Sequence, residues 1–484
     1  MREITFVDTT LRDAPQSLWN GQMTTSMMLP IASTIDEVGF ESLDLLALVG
    51  MDWLVRYLHD NPWERMRLMA EAMPNTPLII GGVLCGFGTV PDSVTELWIS
   101  KVADLGMRRI RINEPYHDIG RITKCIKWSK AARLRTMVAL IYTLSPVHTD
   151  KFYAKKAKEI ARAGADIVFI KDVDGLLTPE RTKTLVPAIL KEIDGIPLEI
   201  HAHCTTGLAP LCYLEAIRLG AKSVHTAVSP LANGSSQPST ESVLRNARRL
   251  GFTCNLNDKA LKTMSEYFLY IGKREGLPIG SPVEYDVFQY EHQLPGGMVS
   301  NYNSELSKRN LENRLEDLLG EIARIRKELG FPIMITPLSQ YVGVQAILNI
   351  TGSYRYKTVT DEVIKYALGR YGELAAPVDK DVIDRIRKLP RAKELEHWEP
   401  PQPSIEDLRK DFAADISDEE FLLRLLSSNQ QSVDEILDAG PIQIDSEYRV
   451  EDKPELILIH ELLRRTNGPA YIQIQKGDFS LAIG

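Results

Sequence analysis

The chain has 484 residues, 44% of them hydrophobic, which is enough for one large domain and a second region around a sizeable core. Its 57 basic and 65 acidic side chains leave a formal net charge of -8 without a long block of either sign, so the charge pattern gives no footprint for nucleic acid or a membrane surface. Residues 1–25 carry no signal-peptide core, no apolar run reaches the length of a membrane span, and five cysteines (Cys85, Cys125, Cys204, Cys212, Cys254) show no zinc-finger spacing. Together these features predict reduced thiols and a cytoplasmic protein.

Apolar β-type runs recur along the first half of the chain. Strands are expected near 4–8, 41–46, 77–82, 108–113, 136–142, 166–171, 197–203 and 222–227. Between them a helix is expected over 24–38, where Met27, Met28, Ile31, Ile35 and Val38 keep helical spacing, with others near 63–73, 92–105, 118–131, 150–163, 179–192 and 208–219. Eight strands alternating with helices over about 240 residues have the count and size of a (β/α)8 TIM barrel, an α/β fold. After about 300 the period changes, and 303–330, 337–351, 359–370, 378–394, 404–414 and 417–427 read as helices. The expected division is a barrel over 1–300, a helical extension over 301–395 that completes the catalytic domain, and a tail over 396–484. The tail opens with the proline-rich linker 396–404 and holds a helix over 454–465, then two short strands joined at Lys476-Gly477-Asp478.

Three strand ends carry chemistry. The run Asp166 to Ile170 ends in Lys171, a cation where burial is expensive, and Leu198 to His203 ends in two histidines at i and i+2, which project from one face of a strand. The first strand runs into Arg12 and Asp13. In a (β/α)8 barrel all of these fall at the carboxyl-end mouth, where active sites sit. Two neutral imidazoles and a carboxylate suit Zn²⁺, Co²⁺ or Mn²⁺. An ammonium cannot be a ligand, so Lys171 can join only if its neutral amine is captured by CO₂ as a carbamate, an oxygen donor. A His-x-His pair alone is more often structural than metal-binding, and it is the coincidence with Asp13 and Lys171 that turns the reading to a site. Cys204 points to the opposite face from the histidines and reads as packing. No Ser-His-Asp triad, Walker loop or dinucleotide fingerprint occurs.

Asp8-Thr9-Thr10-Leu11-Arg12-Asp13-Ala14-Pro15-Gln16-Ser17-Leu18, Asn61-Pro62-Trp63-Glu64-Arg65, Ile170-Lys171-Asp172 through Pro179, His201-Ala202-His203 and Ser236-Gln237-Pro238-Ser239 resemble the carboxyltransferase component of biotin-dependent carboxylases. Pyruvate carboxylase, oxaloacetate decarboxylase and transcarboxylase belong to this family. Leu294-Pro295-Gly296-Gly297-Met298, Pro337-Leu338-Ser339-Gln340 through Gln345 and Arg355-Tyr356-Lys357 extend the resemblance to about residue 390. It implies a metal held by Asp13, His201, His203 and a carboxylated Lys171. It further implies Arg12 and Gln16 beside the substrate, and Ser235, with Ser236, at the biotin site, where the Ser235 hydroxyl stands for the family's proton-shuttling threonine.

The implied activity moves CO₂ between carboxybiotin on a carrier protein and an enolisable carbonyl compound of the pyruvate or oxaloacetate kind. The chain has no Met-Lys-Met and no nucleotide-binding domain, so a biotin carboxyl carrier protein and a biotin carboxylase subunit are the expected partners, in a homodimeric assembly. Two other readings stay open: a metal-dependent Claisen-type or retro-aldol lyase, against which Lys171 argues, and a non-catalytic assembly subunit. The chain also departs from the family. Pro15 replaces a histidine, Leu46-Ala47-Leu48 replaces Trp-Gly-Gly, and Gly81 stands where the family's third-strand arginine holds the carboxylate of pyruvate. Losing that cation predicts weak binding of a small 2-oxo acid.

Overall fold

The computed structural model describes residues 2–83, 90–295, 298–299, 302, 306–307, 312–442, 472–476 and 479–483. All eight expected strands are present: β1 (Thr5–Asp8), β2 (Ser42–Ala47), β3 (Leu78–Val83), β4 (Arg109–Ile112), β5 (Arg135–Ile141), β6 (Ile167–Asp172), β7 (Leu198–Ala202) and β8 (Ser223–Thr226). They pair in sequence order, all parallel, and β8 closes onto β1 with Val7 opposite His225. Parallel neighbours need crossovers, and several of the helices that supply them start at a side-chain cap. Asn61 accepts from Trp63 and Glu64 ahead of Pro62–Ala72, and Thr178 accepts from Arg181 ahead of Pro179–Leu190.

The helix expected over 24–38 is divided. Thr25–Met28 passes through a 3₁₀ turn at Leu29–Ile31 before Ala32–Val38, because Pro30 has no N–H for the helical ladder. Sequence periodicity also missed Thr240–Arg249 and Asp258–Arg274, the helices that follow β8.

Hydrophobic burial falls into three groups. The largest lies between the strands' outer faces and the surrounding helices, and it takes in Phe421, Leu422, Val433 and Ile436 from helices Asp418–Leu426 and Gln430–Ala439. A second belongs to the helical region, where Leu315–Glu328 packs on Leu338–Thr351. The third fills the barrel interior with Val7, Ile79, Met137, Ala139, Ile141, Ile167 and Phe169, joined by Ile333 from the helical region. The helical region therefore reaches into the barrel. It does so at the carboxyl end, where Arg326 donates to Thr143 Oγ1 at 3.0 Å and to the Leu144 carbonyl at 2.8 Å, just beyond β5.

Ile472–Lys476 and Phe479–Ile483 pair antiparallel as expected. The helix expected over 454–465 and Cys85 lie outside the described residues. The four described cysteines are free and buried, and among the described residues no helix is long and apolar enough to cross a membrane.

Candidate metal centre at the barrel mouth

Lys171 and His201 are register partners on β6 and β7, so both face the barrel interior side by side. His203 follows two residues on, and its N–H bonds the Asp172 carbonyl at 2.9 Å, which keeps strand geometry one step past β7. Asp13 arrives differently from expectation. β1 ends at Asp8, whose buried carboxylate accepts from Thr10 N at 3.0 Å and Thr10 Oγ1 at 2.6 Å, turning the chain so that Asp13 opens the short helix Asp13–Leu18 over the mouth. Beyond β6, the Asp172 carboxylate accepts from the backbone of Leu176 at 2.9 Å and Leu177 at 2.7 Å and fixes the loop. Gly175 in that loop has φ +66°, and a Cβ there would meet the Thr205 hydroxyl and the His203 carbonyl.

The donor atoms converge. Asp13 Oδ2 lies 3.0 Å from His201 Nε2 and 3.5 Å from His203 Nε2, the two Nε2 atoms are 3.2 Å apart, and Lys171 Nζ is 4.0 Å from Asp13 Oδ2. Donors about 2.0–2.2 Å from a tetrahedral ion sit about 3.3 Å from one another, so the set fits a divalent metal. Both histidines also hold the tautomer that a metal needs. His203 Nδ1 donates to the Ser235 carbonyl at 2.6 Å, which leaves Nε2 as the free donor. His201 Nδ1 is 3.3 Å from His225 Nδ1, and His225 Nε2 is 2.9 Å from Glu199 Oε2, a chain of partners that likewise frees His201 Nε2.

The charge states agree with this. Burial opposes ionisation of Asp13, but the charges of Lys171 and Arg12 hold its carboxyl well below the usual range. Burial, with the nearby Lys171 charge, keeps the His201 imidazole well below its ordinary value, so it is neutral, the form that ligates. Burial pushes the Lys171 ammonium down to about 8, against the pull of Asp13 and with the repulsion of Arg111 and Arg12.

The other residues expected at the site spread around this cluster. Arg12 Nη1 bonds Asp13 Oδ1 at 2.5 Å and lies 3.6 Å from Asp44 Oδ2. Gln16 is exposed on the same short helix. Ser235 is half-buried and its hydroxyl donates to the Ser17 carbonyl at 2.8 Å, while the Ser236 hydroxyl is buried against Gln237 Oε1 at 3.3 Å. Sequence reasoning missed Asp44, Arg111, Glu199, His225 and the role of Gln237, whose Nε2 lies 3.2 Å from Asp13 Oδ2 and 3.0 Å from His203 Nε2. The signal was the inward-facing set: Glu199, His201 and His203 fall at i, i+2 and i+4, as Arg109 and Arg111 do at i and i+2.

The closed parallel barrel is of the (β/α)8 class, and two buried imidazoles and a carboxylate, a donor set with metal-ligand spacing, converge at the carboxyl-end mouth where enzymes of that class keep their active sites. Two family models match the chain, "Conserved carboxylase domain" over residues 290–430 and "HMGL-like" over 109–267. A pyruvate carboxylase subunit of Methanocaldococcus jannaschii is 39% identical over 389 residues, which span 79% of this chain and 68% of that protein. The 2-oxoglutarate carboxylase large subunit of Hydrogenobacter thermophilus is 31% identical over 436 residues, spanning 88% and 67%. The carboxyl transferase domain of Rhizobium etli pyruvate carboxylase, solved with pyruvate, superposes with a TM-score of 0.80 at 21% identity, covering 100% of this chain and 83% of that one, and shows the shared fold. The chain belongs to the carboxyltransferase family of biotin-dependent carboxylases.

Proposed function

We propose that this chain transfers a carboxyl group between biotin, carried on a partner protein, and a small 2-oxo acid at the mouth of its barrel. The observation that carries the reading is the convergence of Asp13, His201, His203 and Lys171 within the barrel. The relatives named for pyruvate and 2-oxoglutarate act on acids that share one feature, a carbonyl beside a carboxylate, and this sets the class of acceptor. The biotin carrier and a biotin carboxylase subunit are the partners that fit a chain whose relatives are themselves single subunits of divided carboxylases.

In this reading Lys171, as its carbamate, joins Asp13, His201 and His203 around Zn²⁺, Co²⁺ or Mn²⁺. When bound there, the ion would supply Lewis-acid stabilisation of developing negative charge. Asp13 and the two imidazoles set its geometry. Gln237, His225 and Glu199 orient those ligands through the bonds described above. Arg12, fixed by Asp13 and Asp44, places a second positive charge at the oxyanion. Ser235, and beside it Ser236, line the loop that receives the biotin ring. As the carboxyl group leaves biotin as CO₂, the Ser235 hydroxyl turns from the Ser17 carbonyl, gives its proton to the biotin ring nitrogen and takes one from the acceptor's α-carbon. The carbanion then forms its bond to CO₂, and the reverse sequence decarboxylates. Exposed Gln16 meets the acceptor from the rim. Ile333 and the helical region behind it keep bulk water out of the barrel.

Elemental analysis of the purified chain tests the ligand set. One divalent ion per chain is expected in the wild type and none in His203→Ala or Lys171→Ala, and full occupancy in either variant would contradict it.

A further inference from the structure

Arg111 leaves β4 toward the barrel interior and is about 1% exposed. Its Nη1 donates to Asp44 Oδ2 at 2.5 Å. Its Nε and Nη2 are shielded from solvent and meet no acceptor among the described residues, and Asp44 Oδ1 meets no donor. Buried polar groups are nearly always paired, and leaving the donors of a buried cation unpaired is costly. The Nε–Nη2 edge is also the edge with which a guanidinium grips a carboxylate through two parallel hydrogen bonds.

The neighbouring strand is shaped to hold the group there. Gly81 on β3 is the register partner of Arg111, and a Cβ at 81 would stand 2.5 Å from Nη2 and 2.9 Å from both Cζ and Nε. The planar head therefore lies on bare backbone that any side chain would obstruct. The sequence leads to a pocket that keeps Arg12 but is short of one cation at Gly81, and in the structure the fourth strand sets Arg111 against that glycine. The group also reaches the donor cluster, because Asp44 Oδ2 lies 3.6 Å from Arg12 Nη1 and Arg12 Nη1 bonds Asp13 Oδ1 at 2.5 Å.

We infer that Arg111, seated over Gly81 and steadied by Asp44, binds the carboxylate of the acceptor and so selects small 2-oxo acids over neutral carbonyl compounds. The inference rests on the carboxyl-transfer reading above. It assigns Arg111 to substrate recognition, Asp44 to positioning it, and Gly81 to making room.

Calorimetric titration of the metal-loaded full chain with pyruvate and with its neutral amide tests the assignment. The wild type binds pyruvate roughly ten to a hundredfold more tightly than the amide, the size of one charge-assisted contact. Arg111→Gln binds both alike, and Arg111→Lys, a point charge without the fork, falls between. Gly81→Ala displaces the guanidinium without removing it and weakens pyruvate binding while leaving amide binding near its wild-type level. That variant decides the matter if Arg111→Gln fails to fold. Undiminished pyruvate affinity in Arg111→Gln, or in Gly81→Ala, overturns the assignment. So does a wild type that transfers carboxyl groups yet binds the two ligands equally, which leaves the transfer reading standing. A wild type that carboxylates no acceptor from a charged carrier overturns both.

Discussion

The barrel interior holds two polar networks, one at each end, and they are built on opposite principles. At the amino end Arg109 donates to Ser42 Oγ at 3.0 Å, pairs with Glu41 and lies 3.7 Å from Glu199, while the Thr5 and Ser223 hydroxyls meet at 2.6 Å. None of these side chains leaves a buried atom without a partner. At the carboxyl end Lys171 stands 4.0 Å from its nearest carboxylate, two imidazole Nε2 atoms and a carboxylate crowd together, and Arg111 and Asp44 keep unpaired atoms. The closed network stabilises the fold, and in the function proposed above the open one is completed by ligands. Their chemistry is otherwise alike, so saturation separates structure from function here better than residue type does. Glu199 and His225 belong to both, because the chain from Arg109 through Glu199 and His225 ends on His201.

Substitutions at the two ends should therefore fail in different ways. The largest effect is expected at the mouth, where His203→Ala should lower carboxyl transfer by about 10⁴-fold or more through loss of the metal, with little change in thermal stability. A parallel loss of folding, seen by calorimetry, would erase the contrast. At the floor Arg109→Met should cost about 3–5 kcal/mol of unfolding free energy, because it leaves Glu199 buried beside an unbalanced network, while the folded protein keeps its metal. Denaturant unfolding alongside metal analysis checks both halves of that statement. The link between the ends should show an intermediate effect: His225→Gln removes the partner that orients His201 and should weaken metal affinity about ten to a hundredfold, measurable by competition with a chelator.

The effect that is smallest at neutral pH lies outside both networks. Burial pushes His117 and His148 down to about 3, so both stay neutral in the folded protein while the unfolded chain protonates them near its ordinary value. Their contribution is complete above pH about 6.5 and declines as pH falls toward 3, by at most about 1.4 kcal/mol per pH unit for each group. His117 Nε2 accepts the Ile141 N–H at 2.9 Å, consistent with the neutral ring. Replacing His117 with Gln should make the acid-side stability slope shallower by one group, and an unchanged slope would count against burial as the cause.

Much of this was legible in the sequence. Strand positions follow from apolar runs, and Lys171, His201 and His203 stood out as charges at the ends of such runs. The barrel then requires them to share a mouth, which is why the cluster could be anticipated without coordinates. What could not be read was pairing across strands. The sequence shows Gly81 without an arginine, but not that Arg111 lies opposite it in register, since nothing local states which strand neighbours which residue. Arg109 and Arg111 look equivalent along β4, and only their three-dimensional neighbours make one saturated and the other open. The charge of Asp13 after an apolar run reads as a strand end, whereas the Asp8–Thr10 turn inserts a bend first.

The most direct test of the account is transfer of a labelled carboxyl group from a purified, carboxylated biotin carrier to pyruvate by this chain. The account requires label in the four-carbon product with the metal-loaded wild type, none after chelation, and recovery when Zn²⁺, Co²⁺ or Mn²⁺ is restored. Transfer that persists in the metal-free protein, or in His203→Ala, would contradict the assignment of the barrel mouth as a metal-dependent carboxyltransferase centre.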